Sequence, residues 1–397
     1  MKILVTGARG FLGKNLVAEL RNIRDGKTES SLPKDLTIYE YGSSNDLETL
    51  DRYCKDADFV FNLAGVNRPR DPAEYTSGNR DFAATLIKAL ERHNNLCPVM
   101  YASSCQATID NPYGRSKAAA EELLFRHASE TGAKVLIYRF SNLFGKWGKP
   151  NYNSVVATFC HNIARDLPIR LDNPETEMPL TYVDDAVREL ISAASGRETR
   201  GYDPRFCVVP CLYHVKLGTL ANTIRSFKSC RKDRTLANLA DSFVRKLRAT
   251  YLSYLPTDQF SYPLEMHTDP RGSFTEFIRT PDRGQFSVNV AKPGVIKGEH
   301  WHHSKNEKFL VVSGKGVIRF RKPNEEAIYE YFVSGDKLEV VDIPPGYAHH
   351  IENLGDRDLV TLMWSDVCFD PKAPDTYREN VGTPEKDARD SRGKNAK

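Results

Sequence analysis

The chain has 397 residues, 40% hydrophobic and 27% charged, with a formal charge of +4 spread along its length. That length exceeds what one core ordinarily serves and predicts two domains, while the small dispersed charge gives no support to nucleic-acid binding. No apolar run reaches the roughly 18 residues of a membrane span, the first strand runs into a glycine turn rather than a signal peptide, and eight scattered cysteines read as reduced thiols of a cytoplasmic protein.

Up to about residue 200, short apolar strands alternate with helical patterns: KILVTG, LTIYEY, DFVFNLAG, PVMYASS and KVLIYRF. The rhythm predicts right-handed βαβ units and an α/β, Rossmann-type doubly wound parallel sheet. Residues 212–255 read as basic helices that close this domain and connect it onward. From Phe260 the pattern changes to short alternating strands with Gly and Pro turns, as in GVIRFRKP, IYEYFVSGDKLEVVDIPPG and LVTLMWSD, which predicts an all-β sandwich or barrel. The expected domains are therefore 1–257 and 258–381, and the tail 382–397, without apolar periodicity, is expected to be disordered.

The segment TGARGFLGKNL spaces Gly7, Gly10 and Gly13 as GxxGxxG between the first strand and a helix. Glycines there let the backbone turn tightly and approach a pyrophosphate, whose charge rests on the helix N-terminus. A tight turn alone explains such glycines; the strand before and helix after favour a cofactor cradle of Gly7, Arg9, Gly10, Phe11, Leu12 and Gly13. Cofactor choice depends on the end of the second strand, YEYGSSND. Gly42, Ser43 and Ser44 stand there without a carboxylate, and Arg9 in the glycine loop suits a 2′-phosphate, which favours NADPH. Glu40 lies close enough to reverse that choice toward NADH.

Further on, MYASSCQATIDNPYGRSKAAAEELL places Tyr113 and Lys117 four apart at a helix start, on one face. A tyrosine that protonates a developing alkoxide needs its pKa brought down from about 10, and a lysine one turn away does so electrostatically. Ser104, in preference to Ser103, can hold the substrate carbonyl. Any helix can carry YxxxK by chance; a glycine loop upstream and a strand ending in serines favour the catalytic reading.

These pieces resemble the extended short-chain dehydrogenase/reductases that act on nucleotide sugars, with further matches in NLAGV, YTSGN, YRFSNLFG and TYVDD. The resemblance implies Asp46 and Leu47 at the adenine, Leu63, Ala64 and Gly65 along the cofactor beside Tyr113 and Lys117, and Asn79 and Asn142 near the substrate. One departure stands out: an arginine that often holds the diphosphate before the YVDD motif is replaced at about Met178, which leaves Arg170 or another basic residue for that task.

The second cluster lies in GVIKGEHWHHSKNEKFLVVSG, which fits G(x)5HxH(x)4E(x)6G from Gly294 through His300, His302 and Glu307 to Gly314. PPGYAHHIEN fits PxGxxHxxxN with Pro344, Gly346, His349 and Asn353. Residues two apart on a strand share a face, so His300 and His302 can converge with Glu307 and His349. Imidazoles with a carboxylate suit Zn²⁺, Fe²⁺, Ni²⁺ or Mn²⁺, and Zn²⁺ is taken as the ion. His303 and His350 fall outside the pattern. Accidental clustering of surface histidines is the bland alternative, against which both motifs stand at matching spacing. The pair resembles the cupin (jelly-roll) signature. DPRGSFTEF followed by GVIKGEHWH also resembles dTDP-4-dehydrorhamnose 3,5-epimerase, which implies proton removal by His300 with Lys297 beside it. Those epimerases generally need no metal, whereas here the same histidine belongs to a ligand set, so either the metal polarises the sugar ketone or it is structural and Lys297 is the base.

From NLAGVNRP through QATIDNPYG, NLFGKWGKPNYNSV, YLSYLP, RGSFTEF and KGEHWHH to FDP, the chain resembles the CapF-type capsular polysaccharide biosynthesis enzymes. That implies a bifunctional enzyme on the route to UDP-N-acetyl-L-fucosamine, whose substrate is a UDP-linked 4-keto-6-deoxy amino sugar. The cupin would epimerise a UDP-2-acetamido-2,6-dideoxy-4-hexulose at carbon 3, and the reductase would reduce carbon 4 with NADPH to UDP-2-acetamido-2,6-dideoxy-L-talose. The resemblance also implies a homodimer through the cupins. Two rivals are a lone reductase with the cupin as a metal-stabilised dimerisation module, and an Fe²⁺ oxygenase whose glycine loop senses redox state.

Overall fold

The computed structural model describes residues 1–69 and 71–383. The tail expected to be disordered lies, from residue 384 on, outside the described residues. The described residues form two compact units, one of Met1–Lys228 with Asn238–Phe260 and one of Ser229–Ala237 with residues 261–383. Residues 229–237, expected in the first domain, group with the second unit: Arg234 O accepts from Arg279 N at 2.8 Å, and Thr235 bridges to Arg279.

The first unit is built on a six-stranded parallel sheet, in the order Thr37–Tyr41, Lys2–Thr6, Phe59–Asn62, Val99–Ser104, Val135–Phe140 and Phe206–Cys207. Side chains alternate across each strand, so Ile3 and Val5 pack with Leu16, Leu20 and Leu190 on one face while Leu4 packs with Leu86, Leu90 and Leu124 on the other. Burial on both faces is why these strands read as continuous apolar runs. The direction of winding reverses between Lys2–Thr6 and Phe59–Asn62, and the crevice beyond their carboxyl ends is where such sheets take ligands. Among the described residues no helix is long and apolar enough to cross a membrane.

The second unit, as expected, is antiparallel β. Its six-stranded sheet runs His267–Asp269, Gly272–Thr280, Gly284–Ala291, Leu359–Ser365, Glu307–Ser313 and Val340–Ile343. The five-stranded sheet runs Ile328–Ser334, Lys315–Arg321, Ala348–Asn353, Ile296–Trp301 and Tyr377–Arg378. Ala291, Phe309 and Val311 of the first meet Ile318, Phe320 and Ile351 of the second in one core.

Asn353, the last residue of the second histidine motif, locks this core. Its Nδ2 donates to Ala291 O (2.9 Å) and Arg357 O (2.8 Å), and its Oδ1 accepts from Gly355 N (2.9 Å). Replacing it with alanine strands buried carbonyls without donors. Asn353→Ala is expected to destabilise the β unit by about 2 kcal/mol, seen as a lower urea midpoint at unchanged slope.

Candidate functional sites

The glycine loop is shaped by contact. Gly7 sits at φ +64°, and a Cβ there would lie 2.7 Å from Ala64 N; a Cβ on Gly13 would lie 2.2 Å from Gly7 O. The loop thus presses against Leu63–Ala64, which Thr6 fixes by donating from Oγ1 to Asn62 Oδ1 (2.8 Å) and accepting from Ala64 N (3.2 Å). The helix Phe11–Arg24 has neither a side-chain cap nor an acidic residue in its first turn, so its leading N–H groups are left for an anion. Arg9 is exposed, with Cδ 3.7 Å from the place a Gly42 Cβ would take, and so lies at the end of the second strand beside Ser43. Glu40 is ion-paired with Arg21. Asp46 caps the helix Leu47–Cys54 by accepting from Thr49 N at 2.8 Å, and Leu47 is exposed.

Asn111 starts the helix Pro112–Thr131 by accepting from Gly114 N at 2.8 Å, which brings Tyr113 and Lys117 to the ends of the central strands. Lys117 is 5% exposed, donates from Nζ to Ala102 O at 2.8 Å, and stands 6.0 Å from the Tyr113 ring centroid. Burial lowers its pKa to about 8 against the opposing pull of Glu121 one turn on. Burial pushes the Tyr113 phenol up, and a hydrogen bond with Ser104 counters part of that rise. Ser103 instead donates to Glu121, which Arg139 grips at 2.9 and 2.6 Å. Ser104, not Ser103, is therefore the serine at Tyr113. The Glu121–Arg139 pair behind Lys117 was not singled out from sequence; its signal was the i, i+4 step from Lys117.

The two asparagines expected at the substrate differ. Asn79 is 1% exposed and held within the protein: Nδ2 donates to Val66 O (3.0 Å) and Ser116 Oγ (3.0 Å), and Oδ1 accepts from Val66 N (3.1 Å). Its amide ties the loop after Phe59–Asn62 to the tyrosine helix. Asn142 is exposed and donates to Pro179 O at 3.2 Å. Met178 lies in a strand opposite Val215, and Arg170 is exposed with its Nε 2.6 Å from Asp172.

In the second unit, His300, His302, Glu307 and His349 offer one ligand atom each within 4.8 Å of one another. A β-bulge makes this convergence: Gly298 pairs with His350 and His300 with His349, while Glu299 is thrown out at φ +59°. Gly298 is obligatory, since a Cβ there would lie 2.7 Å from His349 O. The displaced Glu299 accepts from His350 Nδ1 (2.8 Å) and Val381 N (2.6 Å). His350 is thus buried away from the cluster, whereas His303 is exposed against Trp301 and Tyr377.

Hydrogen bonding fixes the tautomers. His302 Nδ1 lies 2.6 Å from Asp375 O and His349 Nδ1 lies 3.3 Å from Tyr347 O. Carbonyls only accept, so both Nδ1 atoms carry hydrogen and both Nε2 atoms present lone pairs. Those Nε2 atoms are buried without a hydrogen-bond partner, 3.6 and 3.5 Å from Glu307 Oε2. Burial, then the neighbouring His349 and His302 rings, lowers the His300 pKa to about 4. Burial alone would raise Glu307, but His302, His349 and Lys305 hold it well below the carboxylate range. Two buried ring nitrogens without a hydrogen-bond partner, set around a carboxylate, fit a divalent cation. His300, Glu307 and His349 line a cavity of about 970 Å³ with Arg271, Phe274 and Lys297. Lys297 Nζ donates to Val290 O (2.7 Å), Asn289 Oδ1 (3.1 Å) and Ser273 O (3.3 Å), and burial lowers its pKa.

Residues 3–201 match the model of the NAD dependent epimerase/dehydratase family, and residues 267–377 that of the polysaccharide biosynthesis C-terminal domain. The chain belongs to the NAD dependent epimerase/dehydratase family. It is 43% identical over 382 residues to the UDP-2-acetamido-2,6-beta-L-arabino-hexul-4-ose reductase of Pseudomonas aeruginosa, covering 96% of this chain and 99% of that one. The crystal structure of the capsular polysaccharide assembling protein CapF from Staphylococcus aureus superposes with a TM-score of 0.88 at 51% identity, covering 96% of this chain and all of the other. The resemblance to CapF-type enzymes is therefore borne out. A UDP-glucuronic acid 4-epimerase from Bacillus cereus in complex with NAD covers 64% of this chain and 96% of its own, with a TM-score of 0.52 at 16% identity, and shares the fold.

For a member of the NAD dependent epimerase/dehydratase family, the cleft fits a nicotinamide dinucleotide on its own geometry: the loop has no room for side chains where a pyrophosphate would approach, and the helix end above it is uncapped. The buried lysine gives the family site a pH signature. Lys117 holds its proton up to about pH 8 when folded and to roughly 10.4 when unfolded. Between those values the unfolded chain binds more protons, so stability should rise with pH. In Lys117→Met the rise from pH 8 to 10 is expected to flatten, measured by urea midpoints; parallel curves for the two proteins would show that this lysine does not cause it.

Proposed function

We propose that the chain is a bifunctional nucleotide-sugar enzyme of surface polysaccharide biosynthesis: the β unit, a cupin, epimerises a UDP-2-acetamido-2,6-dideoxy-4-hexulose at carbon 3, and the first unit reduces carbon 4. The product is UDP-2-acetamido-2,6-dideoxy-L-talose, on the route to UDP-N-acetyl-L-fucosamine. The observation that carries the reading is Tyr113, hydrogen-bonded to Ser104 and backed by the buried Lys117, beside a dinucleotide cradle. The name of the Pseudomonas relative, a reductase of a UDP-linked acetamido hexulose, supports the substrate class.

When bound, the dinucleotide supplies the hydride to carbon 4. Ser104 and Tyr113 receive the carbonyl oxygen, and the Tyr113 hydroxyl gives its proton to that oxygen as it becomes an alkoxide. The Lys117 charge favours the phenolate left behind. Arg9, unencumbered beside Gly42 and Ser43, supports NADPH, and the pairing of Glu40 with Arg21 removes the acidic group that would favour NADH.

In the β unit, His300, His302, Glu307 and His349 would hold a divalent cation, with Zn²⁺ the ion proposed, which would supply Lewis-acid polarisation of the carbon-4 ketone and so acidify carbon 3. His300 belongs to the ligand set, which leaves Lys297 as the group that moves the carbon-3 proton; burial eases its deprotonation, and three hydrogen bonds hold its Nζ in place. Epimerisation must come first, because the reduced sugar has no ketone to acidify carbon 3. A homodimer through the β units is supported by exposed Phe332, Leu338 and Val340 on edge strands and the turn between them, and a cytoplasmic setting by eight unpaired cysteines. Those edge residues equally suit the rival in which the β unit only dimerises; the cavity at the cluster favours catalysis.

Incubation with the 4-keto sugar nucleotide in deuterated water is expected to incorporate deuterium at carbon 3 without cofactor, with reduction only on adding NADPH. Tyr113→Phe should lower reduction by about 10²–10⁴-fold and leave exchange intact, whereas Lys297→Met should lose exchange. Absence of exchange in zinc-loaded wild type would reduce the β unit to a scaffold. Arg9→Ala should raise the KM for NADPH at least tenfold and barely alter that for NADH; equal losses would mean that Arg9 does not read the 2′-phosphate.

A further inference from the structure

A segment far along the chain from the cluster closes over it at one residue. Asp375 accepts four hydrogen bonds on its carboxylate: from the backbone N–H of His303 (2.9 Å), Ser304 (2.9 Å) and Lys305 (3.0 Å), and from Ser304 Oγ (2.9 Å). Its own backbone carbonyl receives the Nδ1–H of His302 at 2.6 Å. It does both from φ +42°, a left-handed conformation that aspartate tolerates better than most residues. Just beyond it, Tyr377 and Arg378 pair with Trp301 and His300. Among the described residues, positions 302–306, between the strands Ile296–Trp301 and Glu307–Ser313, have no ladder partners. Three successive N–H groups there form a concavity of the kind that collects an anion, and here the anion is the chain's own carboxylate.

His303 also packs on Trp301 and Tyr377, and Lys305 pairs with Glu307 at 3.2 Å, but the three backbone N–H groups of residues 303–305 share this one carboxylate, and without it the carbonyl that orients His302 loses its anchor. We infer that Asp375 is the positioning residue of the cluster: without touching the cation, it sets the His302 ring and the His302–Glu307 turn in the arrangement a divalent ion requires. The inference rests on the reading of the cluster as a metal centre. Partners that orient a ligating histidine are worth roughly 10–100-fold in metal affinity, and the carboxylate should account for a loss in that range.

The test uses the full-length protein and zinc alone, in competition with a chromophoric chelator. Asp375→Ala is expected to bind zinc 10–100-fold more weakly, and its cobalt-loaded form to show altered visible d–d bands, because His302 no longer meets the ion in the same pose. Asn353→Ala, which weakens the same unit without touching the cluster, should keep wild-type zinc affinity. If Asp375→Ala does not fold, Asp375→Asn, which keeps one acceptor oxygen, is read in the same way with a smaller loss. Wild-type affinity and spectrum in the Asp375 variant would overturn the inference, as would an equal loss in Asn353→Ala, since that would reduce Asp375 to general stability. A wild type that binds no zinc would instead bring down the metal reading itself.

Discussion

The hydrogen bond from Lys117 Nζ to the carbonyl of Ala102 keeps a buried cation within reach of the Tyr113 ring. The protein solves the same problem in the same way elsewhere. Lys297 rests on the carbonyls of Val290 and Ser273, His302 on that of Asp375, and His349 on that of Tyr347. A side chain whose protonation matters must leave bulk water and still have a fixed partner. Main-chain carbonyls are stiff acceptors, because their positions are set by the sheets, as at Ala102, Val290 and Ser273, or by the turns that adjoin them, as at Tyr347 and Asp375. The parallel sheet in one unit and the paired antiparallel sheets in the other are therefore the frames on which reactive groups are aimed.

Both sites also depend on places where a side chain is forbidden. Gly7 and Gly13 let two stretches of backbone touch at the head of the first helix, and Gly298 lets the bulged strand pass His349 and His350. In each case the absent Cβ decides where its neighbours go: an uncapped helix end toward the cleft, and His300 opposite His349.

Much of this was readable from the sequence, because the signals are short in range. Apolar runs of four to six residues marked the parallel strands, and the four-residue step from Tyr113 to Lys117 marked a helix face. What escaped was decided by distant chain. Asn79 is polar and lies in a family-like motif, yet nothing local shows that Val66 and Ser116 would consume its amide. His300 and His302 were expected to share a strand face; the strand Ile296–Trp301 ends between them, and the bulge together with Asp375 does the work that simple alternation was expected to do. Residues 229–237 read as part of the closing helices, since helical periodicity does not report which core a helix end joins. Asp375 carried no motif at all, because its partners lie 70 to 73 positions earlier.

The strap at Asp375 bears on how the protein is made. Synthesis runs from the N-terminus and domains tend to fold as they emerge, so His300, His302, Glu307 and His349 all leave the ribosome before the residue that holds their loop in shape. The dinucleotide cleft has every one of its parts in hand while the β unit is still being translated. On the proposed reading of the cluster as a metal centre, full affinity for the ion is thus a late acquisition in the life of each chain, later than the capacity to hold the nucleotide cofactor.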